Sequence, residues 1–127
     1  MALLLDTQII IWLEEDAIKI PDTIKTMILQ EPKVYFSMIS VWEMAIKLKT
    51  EKLKLVQPLE TFIENFQRDY NFFPINISLQ HIYYTQQLPF HHRDPFDRLI
   101  IAQSLLENIQ MVSSDSIFDE YGVNRLW

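Results

Sequence analysis

Short apolar segments alternate along this chain with longer stretches of helical periodicity, and that order limits the possible folds more than any other feature. The first segment, Ala2 to Leu5, is wholly apolar and ends at an aspartate, which is typical of a strand buried on both faces of a parallel sheet. Further strands are predicted at 33–36, 72–77, 109–113 and 123–127. Strands that alternate with helices predict a mostly parallel sheet covered by helices on both faces.

Prolines and capping residues set the predicted helix ends. Asp94 precedes Pro95, which suits the first helical position, so Asp94 is predicted to cap a helix. Pro74 places the third strand at a sheet edge or limits its length. The six predicted helices are Thr7 to Glu15, Pro21 to about Gln30, Ser37 to about Lys47, Pro58 to Phe66 or Arg68, Ser78 to about Gln86, and Pro95 to about Glu107.

Composition excludes several classes of site. The chain has 127 residues, which fits a single domain spanning 1–127. It has no cysteine, which excludes disulfides and thiolate metal sites and fits a cytoplasmic protein. Gly122 is the only glycine, which excludes Gly-rich phosphate loops. No apolar run is long enough to cross a membrane, and the first residues lack the basic segment of a signal peptide.

Four acids stand at the ends of predicted elements, and each also has a purely structural interpretation. Asp6 ends the first strand and could simply cap the following helix, while Asp115 follows another strand and could be a turn residue. The apolar spacing of the third helix predicts a buried face of Val41, Met44, Ala45 and Leu48. Glu43 lies beside this face and could pair with Lys47 one helical turn away. Asp97 begins an apolar helix and could merely complement its dipole.

Taken together, these acids predict a metal site. The carboxyl ends of parallel strands lie at one edge of a sheet, where ligand sites gather. Four carboxylates converging there would repel one another unless a cation lay among them. Ligands that are all oxygen favour Mg²⁺ or Mn²⁺ over zinc.

Four segments, LLLDT, SxxSxWEMAIK, DPFDRLIIAQ and SSDSIFDEYG, resemble in sequence and order the PIN-domain family, and within it the VapC-like ribonuclease toxins of type II toxin–antitoxin systems. The resemblance implies a three-layer α/β domain whose mostly parallel sheet has four to five strands. By position, Asp6, Glu43 and Asp97 match the three core acids, and Asp115 matches a fourth, more variable one. Thr7 matches a small hydroxyl residue that binds a metal-bound water.

The implied activity is Mg²⁺- or Mn²⁺-dependent endonucleolytic cleavage of RNA. The implied partners are an antitoxin and a second copy of the chain. A net charge of −6 is unusual for a nucleic-acid binder, so local cations are needed. The candidates for contact with substrate phosphates are Thr7, Arg98 and Lys47, whereas His91 and His92 are expected to be a solvated loop pair.

Three alternative classes compete with this resemblance, and the first two lack a required aspartate. A dehalogenase-type phosphatase needs a second aspartate two residues after Asp6, where Gln8 stands. A response-regulator receiver needs an aspartate where Ser37 follows the strand KVYF. The third alternative is a catalytically silent PIN-like module that only binds a partner.

Overall fold

Five parallel strands form one sheet in the order β3-β2-β1-β4-β5 in a computed structural model, which describes residues 2–127. Every pairing is parallel, with Leu4 of the central strand facing Tyr35 on one side and Met111 on the other. The predicted α/β sheet is therefore confirmed. The strands are β1 Ala2–Leu5, β2 Lys33–Ser37, β3 Phe73–Ile75, β4 Gln110–Val112 and β5 Arg125–Leu126.

Helices cover both faces of the sheet, as alternating side chains of β1 require. Leu3 and Leu5 pack in one core cluster with α1, α2 and α4, while Leu4 packs in a second cluster with α6. Because β1 is buried on both sides, every one of its positions after Ala2 is apolar. The helices are α1 Thr7–Glu15, α2 Asp22–Gln30, α3 Met38–Lys49, α4 Leu59–Tyr70, α5 Leu79–Thr85 and α6 Pro95–Glu107.

The start of α6 is fixed by its predicted cap. A carboxylate oxygen of Asp94 accepts hydrogen bonds from the backbone N–H groups of Phe96 (2.9 Å) and Asp97 (3.2 Å). Pro95 occupies the first helical position and loses no hydrogen bond there. Asp94 therefore sets where Asp97 lies in the first turn.

Helix α3 differs from its predicted orientation. The apolar spacing predicted a buried face of Val41, Met44, Ala45 and Leu48, but Ala45 is exposed and the buried residues are Ile39, Ser40, Glu43 and Met44. The helix packs between the two core clusters, with Ile39 in one and Met44 in the other. This rotation buries Glu43, which had been expected beside the apolar face.

The remaining differences are local. Two short 3₁₀ helices, Ala17–Lys19 and Ser116–Tyr121, occur where the sequence predicted connections. The third strand is shortened to Phe73–Ile75 and lies at a sheet edge, as Pro74 predicted. Among residues 2–127, no helix has the length and apolar character needed to cross a bilayer.

Candidate metal centre

A cleft of about 210 Å³ opens at the carboxyl ends of the strands. The strand order places β1 between β2 and β4. The residues that follow these three strands therefore meet at the position in the sheet where the strand order reverses. Such a point is where open parallel sheets bind ligands. The acids that line the cleft are Asp6, Glu43, Asp94, Asp97 and Asp115.

Asp6 is both a helix cap and a member of the cleft. One carboxylate oxygen accepts the N–H of Thr7, and the other accepts the hydroxyl of Ser113, each at 2.8 Å. Its side chain is almost fully withdrawn from solvent, with 8% of the residue exposed. Burial, together with the nearby charges of Asp97 and Glu43, raises the pKa of Asp6 to about 7, even though these hydrogen bonds oppose the change.

Glu43 is 4% exposed and accepts hydrogen bonds at both oxygens. Thr7 Oγ1 lies 2.7 Å from Glu43 Oε1 and 2.8 Å from the hydroxyl oxygen of Ser40. Lys47 Nζ lies 2.6 Å from Glu43 Oε2. The hydrogen bond with Glu43 raises the pKa of Lys47, so Lys47 is a charged counter-ion within the cleft.

Asp97 extends into the cleft from the first turn of α6. Its Oδ2 atom lies 2.6 Å from Nε2 of His92. Burial raises the pKa of Asp97 to about 6; the negative charges of Asp94 and Glu43 contribute, and the hydrogen bond from His92 opposes the rise. One ligand atom each from His92, Asp94 and Asp97 lie within 4.8 Å of one another.

Asp115 lies at the rim and is exposed. It caps the second 3₁₀ helix, accepting the N–H of Ile117 at 3.0 Å, and its own N–H donates to the hydroxyl of Ser113. The same Ser113 hydroxyl donates to Asp6. Ser113 thus links the buried Asp6 to Asp115 at the rim of the cleft.

A family model described as "PIN domain" matches residues 3–124. The chain belongs to the PIN-domain family. No curated protein gives a significant sequence match.

Solved structures with similar folds support the assignment. VapBC2 from Rickettsia felis, bound to a promoter DNA fragment, has a TM-score of 0.74 at 17% identity, covering 99% of this chain and 98% of that one. DNA-bound VapBC from Salmonella typhimurium has a TM-score of 0.73 at 15% identity, with coverage of 99% and 97%. A toxin–antitoxin complex from Klebsiella pneumoniae has a TM-score of 0.60 at 19% identity, with coverage of 100% and 97%. At these identities, the likeness concerns the fold.

Arg98 of the PIN domain lies in a different environment from the one predicted. The residue is 8% exposed, and its guanidinium donates to the backbone carbonyls of Thr85, Leu88, Pro89 and, at 3.4 Å, His92. The sequence-based assignment of Arg98 to a substrate phosphate is therefore wrong. Arg98 is a structural residue that holds the loop before α6.

The sequence missed three polar residues of the site. His92 was expected in solvent but forms a hydrogen bond with Asp97. Ser40 accepts a hydrogen bond from Thr7, and Ser113 donates one to Asp6. A signal existed for the two serines, because each stands within a turn of a predicted strand end. Nothing local identified His92, since its contact depends on how the loop folds over α6.

The PIN-domain cleft has the donor set of a site for a hard divalent cation. Carboxylate oxygens dominate it, as Mg²⁺ and Mn²⁺ prefer. Burial, and to a lesser extent the neighbouring carboxylates, raise the pKa values of Asp6 and Asp97, and a bound cation would favour their ionised forms. Lys47 lies in direct contact with Glu43 alone among these acids, so the oxygens of Asp6 and Asp97 could hold a metal ion.

Proposed function

We propose that this PIN domain is an Mg²⁺- or Mn²⁺-dependent endoribonuclease that hydrolyses RNA phosphodiesters, and that it is the toxin of a type II toxin–antitoxin pair. The observation that carries the proposal is the convergence of Asp6, Glu43, Asp97 and Asp115 on one cleft at the strand ends. The family membership and the similar folds of toxin–antitoxin complexes support it.

Asp6, Glu43 and Asp97 are proposed to hold the metal, with Asp115 contributing from the rim. A bound Mg²⁺ would lower the pKa of a water and offset charge on the reacting phosphate. Thr7 positions Glu43 through a 2.7 Å hydrogen bond. Ser113 positions Asp6 in the same way.

Lys47 has a role that depends on what Glu43 binds. Its ammonium is 2.6 Å from Glu43 and partly exposed. A metal ion held by Glu43 would compete with this ion pair, which would leave the Lys47 ammonium free to contact a substrate phosphate. Lys52, which also lines the cleft, adds a second positive charge that could contact a substrate phosphate.

Partners are proposed from the similar folds and the resemblance. The structures from Rickettsia felis, Salmonella typhimurium and Klebsiella pneumoniae contain toxin–antitoxin assemblies. By analogy, this chain binds a cognate antitoxin, forms a homodimer and acts in the cytoplasm. Unpaired RNA is the expected substrate, because unpaired bases are accessible for recognition.

The test is cleavage of a panel of structured RNAs by the wild type, Asp97→Asn and the control Asp22→Asn, in Mg²⁺, in Mn²⁺ and in EDTA. Asp22 is an acid of α2 whose side chain is 98% exposed. The wild type and the control should cut only with metal, and Asp97→Asn should not cut. Equal cutting by all three proteins, or cutting in EDTA, would refute the assignment.

A second candidate function is a silent PIN-like module that binds a partner without cutting. The ion pair between Lys47 and Glu43 favours it, because one core acid is already neutralised. Titration with Mg²⁺ distinguishes the two. If the wild type binds Mg²⁺ no more tightly than Asp97→Asn does, the protein is a silent module.

A further inference from the structure

Phe90 is a large aromatic side chain held in solvent. It lies in the loop between α5 and α6 and is 81% exposed. The ring has one close polar neighbour, the guanidinium of Arg98, whose central carbon is 4.4 Å from the ring centroid. The remainder of the ring is open to a ligand.

The loop that carries Phe90 is held by hydrogen bonds although it contains no helix or strand. The buried guanidinium of Arg98 donates to carbonyls on both sides of Phe90, at 2.8 Å to Pro89 and 3.4 Å to His92. It also holds Thr85 and Leu88. Phe90 is therefore presented in a fixed position, which reduces the entropy lost when a ligand binds.

Phe90 borders a concavity with a mixed lining. The space measures about 310 Å³ and has an apolar wall formed by Ile82, Pro95 and Leu99. Arg93 lies at its exposed edge. Within residues 2–127, the Arg93 side chain has no ion-pair partner, so its charge is free to meet an anionic ligand.

The concavity adjoins the metal cleft through the same loop. His92 follows Phe90 by two residues, so their Cα atoms are at most about 7 Å apart, and His92 contacts Asp97 at 2.6 Å. Arg93 directly precedes Asp94, which lines the cleft. An RNA strand that leaves the cleft past His92 and Asp94 would therefore reach Arg93 and Phe90.

We infer that Phe90 and Arg93 form a subsite for one unpaired nucleotide of the RNA, in which the base stacks on the open face of Phe90 and the adjacent phosphate contacts Arg93. An aromatic face beside a cation is how proteins bind single strands without reading sequence. The unpaired charge of Arg93 favours a polyanion over an apolar protein partner. This subsite rests on the proposed function, since it identifies the RNA as single-stranded next to the cut.

The test measures binding of a fluorescein-labelled single-stranded RNA dodecamer in Mg²⁺, using proteins that also carry Asp97→Asn so that the RNA stays intact. Phe90→Leu is compared with the matched control Phe73→Leu, a half-exposed aromatic of β3 that lines neither space. An abasic sugar-phosphate oligomer of equal length separates stacking from charge. Phe90→Trp keeps an aromatic face.

Phe90→Leu should weaken RNA binding roughly 5- to 100-fold, while Phe73→Leu and Phe90→Trp stay within about twofold. Binding of the abasic oligomer should be insensitive to Phe90→Leu but weakened by Arg93→Ala. Equal RNA binding by Phe90→Leu and its control would overturn the subsite and assign the exposed ring to another partner. Metal-dependent cleavage by the wild type, measured separately, decides the nuclease proposal, so either can fail while the other holds.

Discussion

Asp6→Asn tests whether the buried carboxylate of Asp6 destabilises the folded protein when it is ionised. The pKa of Asp6 rises from 3.8 in the unfolded chain to about 7 in the folded protein, chiefly because the carboxyl is buried. The folded protein therefore binds this proton more tightly than the unfolded chain does. The stabilisation that protonated Asp6 contributes is fully present below about pH 4 and is lost as the pH rises through about 7.

The expected size of the effect follows from that shift. One pKa unit corresponds to about 1.4 kcal/mol, and integrating the linkage between pH 5 and pH 8 gives a loss of about 2–3 kcal/mol in the free energy of unfolding. Asn keeps the cap to Thr7 without a titrating proton. Relative to the wild type, Asp6→Asn should thus gain about 2–3 kcal/mol over this range in EDTA.

The assay is urea unfolding of both proteins at pH 5, 6, 7 and 8, first in EDTA and then in saturating Mg²⁺. Groups that do not interact with Asp6, such as Glu14, whose pKa is also raised to about 7 mainly by burial, are common to both proteins and cancel in the difference. Mg²⁺ should restore the wild type at pH 8 by binding the folded state and should leave Asp6→Asn nearly unchanged. Parallel pH profiles in EDTA would refute the reasoning.

Substitutions at three further residues test neighbouring contacts. Arg98→Lys should lower the free energy of unfolding by about 2–3 kcal/mol, because one ammonium cannot reach the same set of carbonyls; an unchanged urea midpoint would contradict this. Asp94→Ala should lower the free energy of unfolding by about 1 kcal/mol in the same assay, because the helix cap is lost. Asp94→Asn should keep near wild-type stability and still cut RNA. If Asp94→Asn has normal stability but does not cut, Asp94 is a residue of the site. Lys47→Met should tighten Mg²⁺ binding about two- to fivefold in calorimetry, since Glu43 loses a competing cation, and equal or weaker binding would count against a metal role for Glu43.

The element order and the cap of α6 could be predicted because they depend on nearby residues. An apolar run that ends at Asp6 and an Asp-Pro step at Asp94 carry their meaning locally. The strand order also brought Asp115 and Asp6 to one edge, as parallel strands require.

The rotation of α3, the environment of Arg98 and the contact of His92 could not be predicted in this way. Each depends on partners distant in sequence or on the path of an irregular loop. Helix α3 packs between two core clusters, so periodicity alone does not fix which face is buried. An arginine beside a site acid resembles a phosphate ligand until the loop carbonyls around it are known.

The contacts of Arg98 also bear on how this protein can vary. They are made to main-chain carbonyls of the loop rather than to its side chains. The path of the loop is therefore largely independent of which residues occupy it, and exchanges at Phe90 or Arg93 would leave the placement of His92 beside Asp97 intact. A protein built in this way could acquire a new preference among its ligands by single substitutions, without a cost to the geometry on which the proposed cleavage depends.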